Sequence, residues 1–417
     1  MPRHRLEELQ WTRLTRLVHQ ARERSPFWAD RLPADLTGLE DFTRRVPIVR
    51  KQDLLNARDH GPDPLYGGVP TVDPRLGIRY HQTSGTSGNP PVRTIDTARD
   101  WALMRDSFCT ALWAMGVRPG QRSMVTFGYG TFMGLWGMHD ALERMGCLNI
   151  PTGGMNTKTR VRFLVEREVQ VLGCTPSYAR RLIEVARQEG IDLATDSHLE
   201  VVLAGAEPRT DAAVRELETS LGCRVYNAAG TTETGIASLF ECDQRRGAVH
   251  TNEHLLFDEV LDPDTLEPAP YGAEGIRVST TLTREGFPVF RHWTEDRVIR
   301  RPGSDCPCGR TWDFFDGGIL GRADDLKKIR GVSVTPEMID DILSSFRIAR
   351  YRASIQAIQG LDTLVIELPE EELPTGTCEH VSDEVKAVVG LRPAVRTTPA
   401  SSLPESDWKV KRFFDER

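Results

Sequence analysis

Between residues 123 and 227 short apolar runs alternate with helix-length amphipathic stretches, and this alternation constrains the fold more than any other feature. Residues 123–127 (SMVTF) read as a buried strand, followed by a Gly-rich turn at 128–134 and a helix through Arg144. Residues 148–151 and 169–173 read as strands, and Thr175-Pro176 is a start signal for a helix over 177–188. A strand at 199–204 (LEVVLA), a helix over 210–221 and a strand at 224–227 continue the series. Strands separated by helices cannot pair as hairpins. They need right-handed crossovers, and so predict an α/β fold with mostly parallel sheets.

The flanks have a different texture. Leu6, Leu9, Leu14, Leu17 and Val18 have helical spacing within residues 6–31, with a break expected at Ser25-Pro26 and a loop-rich stretch to about Gly77. After Thr234, short strands are expected at 248–250, 255–261, 275–282 and 297–299, parted by turn clusters such as Asp262-Pro263-Asp264. They predict an appended antiparallel or barrel-like β unit. A Gly-rich, charged junction at 317–331 leads to a helix at 336–346, a strand pair and a charged terminal segment, together a small α+β unit. A chain of 417 residues exceeds one ordinary domain. The expected division is an N-terminal domain over 1–321, with a β subdomain at about 236–316, and a C-terminal domain over 322–417.

Composition removes several classes. With 39% apolar and 27% charged residues the chain is neither disordered nor collagen-like. The balance of 53 Lys+Arg against 60 Asp+Glu gives a net charge of −7 without a basic block, which argues against a nucleic-acid partner. No apolar run approaches the ~18–20 residues of a spanning helix. The start, MPRHRLEELQ, lacks the apolar core of a secretory signal. A cytoplasmic protein without a membrane partner is expected; the sequence does not set its oligomeric state. Eight cysteines are too few for a disulfide framework. Cys109, Cys147, Cys174, Cys223 and Cys378 are expected to be small buried hydrophobes.

Four motifs can carry chemistry. Thr83-Ser84-Gly85-Thr86-Ser87-Gly88-Asn89-Pro90 supplies turning glycines, inward N–H groups and hydroxyl donors suited to a polyphosphate, without the Gly-Lys-Ser/Thr of a Walker loop. Asn227-Ala228-Ala229-Gly230-Thr231-Thr232-Glu233 follows a strand, where ligands of parallel sheets bind, and offers hard oxygens to Mg²⁺. Gly321-Arg322-Ala323-Asp324-Asp325-Leu326-Lys327-Lys328-Ile329-Arg330-Gly331 has the make-up of a hinge. Trp408-Lys409-Val410-Lys411-Arg412 places a lysine where a transferring phosphate can be neutralised. Taken singly, these are also a surface loop, an ordinary turn, a solvated linker and a solvated tail.

In this order, with Gly205-Ala206-Glu207-Pro208 between them, the motifs resemble those of the adenylate-forming ligases, specifically the phenylacetate–coenzyme A ligase-like branch, over about residues 80–411. The resemblance implies a fold with a small mobile C-terminal domain, and ATP, Mg²⁺ and coenzyme A as substrates and cofactor. It makes Thr83 to Gly88 the phosphate loop, Gly205 to Pro208 with Ala229, Gly230 and Thr231 the adenine-side segments, and Thr232-Glu233 the pair at Mg²⁺. Asp296, in Arg291-His292-Trp293-Thr294-Glu295-Asp296, and Arg322 become ribose contacts, Asp324 the hinge, and Gly331 part of the coenzyme A tunnel. Lys409 becomes the adenylation lysine. Tyr129, Phe132, Trp136, Gly137 and His139 resemble the acyl-pocket wall, with core packing the alternative for Phe132 and Trp136. The chain departs from the family pattern at Ala229, where an aromatic is usual, at Trp408, where a glycine is usual, and in a phosphate loop without lysine. These departures bear on nucleotide affinity and on the approach of the lysine more than on the reaction.

Cys306-Pro307-Cys308, with Cys242 and His250 upstream, is suited to a tetrahedral zinc, as in some members of this branch; His254 is a rival imidazole, and two buried thiols with a turn are the alternative. The expected activity is activation of a carboxylic acid, aryl or arylacetic, as acyl-AMP, then transfer to coenzyme A. The alternatives are another acid or acceptor (an amine, a carrier-protein thiol, a non-carboxylate oxyanion) and a non-catalytic nucleotide-binding or zinc-organised protein. The Gly128–Gly134 turn mimics a dinucleotide fingerprint, but its last gap is too long and no acid closes a following strand, so an oxidoreductase is set aside.

Overall fold

The middle strands of the central sheet send alternate side chains to two different cores, which is why their sequence runs are mostly apolar. The computed structural model describes the chain except residues 62, 84–89, 128–129, 208–209, 236–237, 324, 326, 331, 359, 375 and 405–410, and the side chains of 245, 328, 333, 337 and 372. The five strands lie in the order Leu148–Pro151, Arg122–Val125, Val171–Cys174, Val201–Ala204, Arg224–Tyr226, every pair parallel. Val125, Val171, Val201 and Leu203 pack with Phe108, Leu112, Met138 and Leu142 on one face. Met124, Leu172 and Val202 pack with Leu164, Tyr178, Leu182 and Leu217 on the other. Burial on both faces is the normal state of a parallel sheet.

The crossover helices start where the sequence signals them. Thr175 caps the helix Pro176–Gln188 by accepting from the Tyr178 N–H, and Pro176 occupies the first turn, where no amide hydrogen is needed. Thr210 accepts from Ala213 N–H at the helix Asp211–Leu221, and Gly222 ends it in the left-handed conformation. The helix Arg3–Arg24 stops at Ser25, which caps a further turn, Pro26–Ala29, so the expected break is present.

The stretch expected to be loop-rich holds two helices, Leu39–Arg45 and Lys51–His60. They bury only Asp41 and Phe42, and Leu54 and Leu55, too few apolar positions to register as a periodic pattern. Packing of Phe42, Leu54 and Leu55 with Trp28, Phe287 and Phe290 stabilises them instead. The helices Ala98–Ala114, Thr157–Glu166 and Thr377–Val389, and the hairpin Gly77–Gln82 with Arg93–Thr97, were also not anticipated.

The second sheet is antiparallel and eight-stranded, in the order Leu256–Leu261, Glu274–Thr281, His292–Arg301, Phe314–Phe315, Arg245–Thr251, Leu239–Cys242, Ala228–Ala229, with Gly321–Arg322 paired to His292–Arg301. The strand anticipated at 297–299 is longer because buried and half-buried residues alternate through charged sequence: Thr294, Asp296 and Val298 are buried, Glu295 and Arg297 less so. The C-terminal part forms a four-stranded sheet, Ala394–Thr398, Leu361–Pro369, Arg352–Ile358, Phe413–Asp415, backed by Pro336–Ser345 and Thr377–Val389. It has its own core, built on Ile339, Leu343, Ile355, Leu364, Ile366, Val381 and Val385. Among the described residues no helix is long and apolar enough to cross a membrane.

Candidate active site and metal cluster

Parallel strands present their carboxyl ends on one edge, and several of the described candidate residues follow those ends. Gly205 follows the strand Val201–Ala204, and Asn227 follows Arg224–Tyr226. A Cβ on Gly205 would lie 2.6 Å from the Ala228 carbonyl oxygen, so only glycine lets the two segments approach so closely. Ala206 adopts φ +71°, a left-handed conformation rarely taken by a residue with a side chain. Glu207 is held away from solvent chemistry: its carboxylate accepts from the Ser177 N–H at 2.9 Å and the Ser177 hydroxyl at 2.7 Å, at the start of the helix Pro176–Gln188. Pro208 lies outside the described residues.

At the phosphate loop, Ser84 to Gly88 lie outside the described residues, but the base of the loop is zipped. Thr83 N–H donates to the Val92 carbonyl at 3.0 Å, and Val92 N–H to the Thr83 hydroxyl at 3.0 Å. Ala229 pairs with Leu239 at the end of the antiparallel sheet. From Thr231 the chain turns. The Thr231 and Thr234 hydroxyls lie 3.0 Å apart, and Gly235 N–H donates to the Thr231 carbonyl at 2.9 Å. Glu233, at the centre of this turn, is buried, and among the described residues its carboxylate has no hydrogen-bond partner.

Asp296 comes to the same region from the antiparallel sheet. It is 4% exposed, and one carboxylate oxygen, Oδ2, has no partner among the described residues. The other is 3.9 Å from Arg322 Nη1, whose strand pairs Arg322 with Asp296 directly. Burial pushes the Asp296 carboxyl above its usual range, while Arg277 and Arg322 pull it down; Glu233 and His292 act on each other through the same space. An orphaned acceptor beside an arginine is suited to the paired hydroxyls of a ribose.

Phe132 and Trp136 pack at the margin of the core, partly exposed. Trp136 donates to the Gly130 carbonyl at 2.9 Å, stands edge-on to Phe127 at 5.8 Å, and lies 6.5 Å from the His139 ring. Gly137 is buried within the helix Met133–Arg144. Tyr129, Asp324, Gly331 and Lys409 fall outside the described residues.

Several residues at this edge were not anticipated. The Arg79 guanidinium sits 4.8 Å from both the Trp101 and Trp136 rings and donates to Asp140 at 2.8 Å. His81 stacks on Trp101 and contacts the Thr131 carbonyl through Nδ1 at 3.1 Å. A carbonyl only accepts, so Nδ1 carries the hydrogen, and burial holds the imidazole pKa down to about 4. Arg284 pairs with Asp96 inside the protein. A histidine in a strand and an arginine in a loop carry no spacing signal of their own, which is why sequence reading passes over them.

The cysteines divide. Cys147 and Cys174 are buried as expected, whereas Cys109, Cys223 and Cys378 are only partly so. Burial pushes the Cys109 thiol up to about 11 and that of Cys223 to about 12, which leaves both unreactive. Cys242, His250, Cys306 and Cys308 converge, with ligand atoms all within 4.8 Å of one another. Cys242 and Cys306 Sγ are 3.7 Å apart, and Cys308 Sγ is 3.3 Å from His250 Nε2. A tetrahedral zinc would set these two spans at ~3.8 and ~3.6 Å, close to what the thiols and imidazole show, so the donor set suits zinc. His250 Nδ1 faces the Trp312 carbonyl at 3.1 Å, which turns Nε2 toward the thiols. His254 instead stacks on Trp312 at 4.9 Å and is outside the cluster.

Residues 71–278 match the AMP-binding enzyme family and residues 331–417 match the AMP-binding enzyme C-terminal domain. Over its full length the chain is 34% identical to a phenylacetate-coenzyme A ligase of Thermus thermophilus, covering 98% of that protein. The chain belongs to the AMP-binding, adenylate-forming enzymes. A phenylacetate-coenzyme A ligase of Escherichia coli is 31% identical over 99% of this chain and 95% of that one. Among solved structures of such enzymes, 2-hydroxyisobutyryl-CoA ligase in the postadenylation state, with 2-HIB-AMP, superposes with a TM-score of 0.90 at 27% identity, covering all of this chain and 91% of that one. The same ligase with 2-HIB-AMP and CoA in its thioesterification state gives 0.74, at 28% identity and the same coverage.

Proposed function

We propose that this chain, an AMP-forming acid–coenzyme A ligase, takes an aryl or arylacetic acid, activates it with ATP as the acyl-AMP, and passes the acyl group to coenzyme A. The full-length match to phenylacetate-coenzyme A ligases carries this reading of the acid. The aromatic wall around Trp136 supports it, since a flat apolar surface suits an aryl group.

The carboxylate of the acid attacks the α-phosphorus of ATP, and pyrophosphate leaves. Negative charge grows on the phosphoryl oxygens and must be met by donors fixed beforehand. Lys409 and the N–H groups of the 83–88 loop supply them, while Asp296 and Arg322 hold the ribose and so orient the α-phosphate. Glu233, buried and without a partner among the described residues, and the Thr232 hydroxyl form a hard-oxygen pair suited to Mg²⁺, which when bound would neutralise phosphate charge. In the second half-reaction the coenzyme A thiol attacks the acyl carbonyl and AMP leaves.

Residues 322–417 act as a mobile domain turning about Asp324, withdrawing Lys409 and bringing Gly331 to the coenzyme A tunnel. The 2-hydroxyisobutyryl-CoA ligase has both a postadenylation and a thioesterification state, and this chain resembles the former more closely. Cys242, His250, Cys306 and Cys308 hold a structural zinc that ties together the sheet carrying Asp296. With all eight cysteines free, a reducing cytoplasm suits the protein.

The test is pyrophosphate release across a panel of acids. Phenylacetic and benzoic acids should support release, and short aliphatic acids should do so at least ~10-fold less well, the discrimination expected from one or two apolar contacts. Equal release with aliphatic acids would overturn the assignment of the acid.

A further inference from the structure

Arg284 is 3% exposed and belongs to none of the motifs, yet almost every hydrogen on its guanidinium has a partner. Nε and Nη2 donate to the two Asp96 oxygens at 2.7 and 3.1 Å. Nη1 donates to the backbone carbonyls of Thr232 and Glu233, at 2.8 Å each. Asp96 is fully buried and lies in the strand Arg93–Thr97, which carries the chain away from the phosphate loop. One side chain thus joins the exit of the phosphate loop to the Thr232-Glu233 turn.

The mounting is rigid. Asp100 accepts from the Glu285 N–H at 2.8 Å and the Gly286 N–H at 2.9 Å, pinning the residues that follow Arg284. A Cβ on Gly286 would lie 2.4 Å from the Ile95 carbonyl oxygen, so this segment is pressed directly on the strand bearing Asp96. Because Asp96 neutralises Arg284, the pair adds little field at the phosphates. Its effect on the site is geometric: two carbonyls are tied back, and the Glu233 carboxylate has no partner among the described residues.

We propose that Arg284 is a positioning residue for the first half-reaction, clamping the Thr232-Glu233 backbone so that the Glu233 carboxylate meets the phosphates of magnesium-bound ATP. This rests on the reading of Glu233 given above. Lysine keeps the charge beside Asp96 but cannot reach a carboxylate and two carbonyls together. Arg284→Lys should therefore weaken ATP binding in the presence of Mg²⁺, measured by calorimetry without acid, by about tenfold or more, the usual cost of losing a residue that orients a metal ligand. ATP binding without added Mg²⁺, and thioester formation from a preformed acyl-adenylate, should stay within about threefold, since neither uses the clamped carboxylate. The double variant Asp96→Asn/Arg284→Gln, which leaves no unpaired charge, should give the same split.

Equal loss in both half-reactions, a loss independent of Mg²⁺, or failure of both variants to fold would overturn the proposal, leaving the pair a role in the fold alone. Glu233→Gln separates the two levels. If it leaves magnesium-dependent binding intact, the reading of Glu233 fails and the clamp with it. If Glu233→Gln weakens binding and Arg284→Lys does not, only the clamp fails.

Discussion

Lys409→Ala should abolish acyl-adenylate formation while thioester formation from a preformed acyl-adenylate continues at close to the normal rate. The charge that develops on phosphorus during displacement of pyrophosphate is met by few groups, and a lysine carries a full positive charge to it. Removing one such donor from a preorganised site costs on the order of 10²–10³ in rate. In the second half-reaction the leaving group is AMP, and on the proposed rotation the lysine would have swung away with the C-terminal domain, so no comparable loss is expected. The two rates are read separately, as pyrophosphate release from acid and ATP, and as thioester appearance from synthetic acyl-adenylate and coenzyme A. Loss in both would mean that Lys409 supports the fold or binds AMP in both states. Loss in neither would remove it from the chemistry.

The second large effect concerns the Cys/His cluster. The wild-type protein should contain one zinc per chain, and Cys306→Ser/Cys308→Ser none. Structural zinc in small peptides contributes roughly 10–16 kcal/mol at neutral pH, comparable with the ~5–15 kcal/mol that separates a folded domain from its unfolded chain. Stripping the metal should therefore lower the melting temperature by well over ten degrees, and unfold the β unit first. Cys308 lines a cleft of about 330 Å³ with Trp113, Arg118 and Arg310, so a chelator has a route to the site. The packing of Phe240 and Phe314 around His250, and the ties from Arg3 to Glu253 and Asp313, belong to the same unit and should loosen with it. Metal analysis returning no zinc, with melting unchanged by chelation, would contradict this.

How far the sequence could be read follows from what each element depends on. The parallel sheet was legible because burial on both faces forces runs such as residues 201–204 to be wholly apolar, and because Thr175-Pro176 and Thr210 announce the helices that follow. The helices Leu39–Arg45 and Lys51–His60 were not, since tertiary contacts hold them and their own pattern is thin. The strand His292–Arg301 was half hidden because it buries an aspartate, a residue whose usual place is the surface. Among the described residues one oxygen of Asp296 is buried there without a partner, as suits the ribose contact proposed for it, and local rules fail most often at functional positions.

The site divides in the same way. Glu233 was singled out by local chemistry and the resemblance together and Gly205 by the resemblance alone, and the fold gives Gly205 a steric reason for its identity. The Cys/His cluster was legible from residue type, but only the fold selects His250 over His254. Arg284, His81 and Arg79 were missed, because each acts through partners distant in sequence: Asp96 is 188 residues from Arg284, Thr131 is 50 from His81 and Asp140 is 61 from Arg79. Nothing in a single chain reports such pairs.

The most direct test of the two-step reaction is a single-turnover experiment with enzyme in excess over ATP, in phenylacetic acid and Mg²⁺, analysed by mass spectrometry before and after coenzyme A is added. The predicted result is one acyl-AMP and one pyrophosphate per ATP in the first phase. On addition of coenzyme A the acyl-AMP should disappear, with one thioester and one AMP formed for each. Appearance of ADP and phosphate, or an acyl-AMP that persists in the presence of coenzyme A, would contradict it.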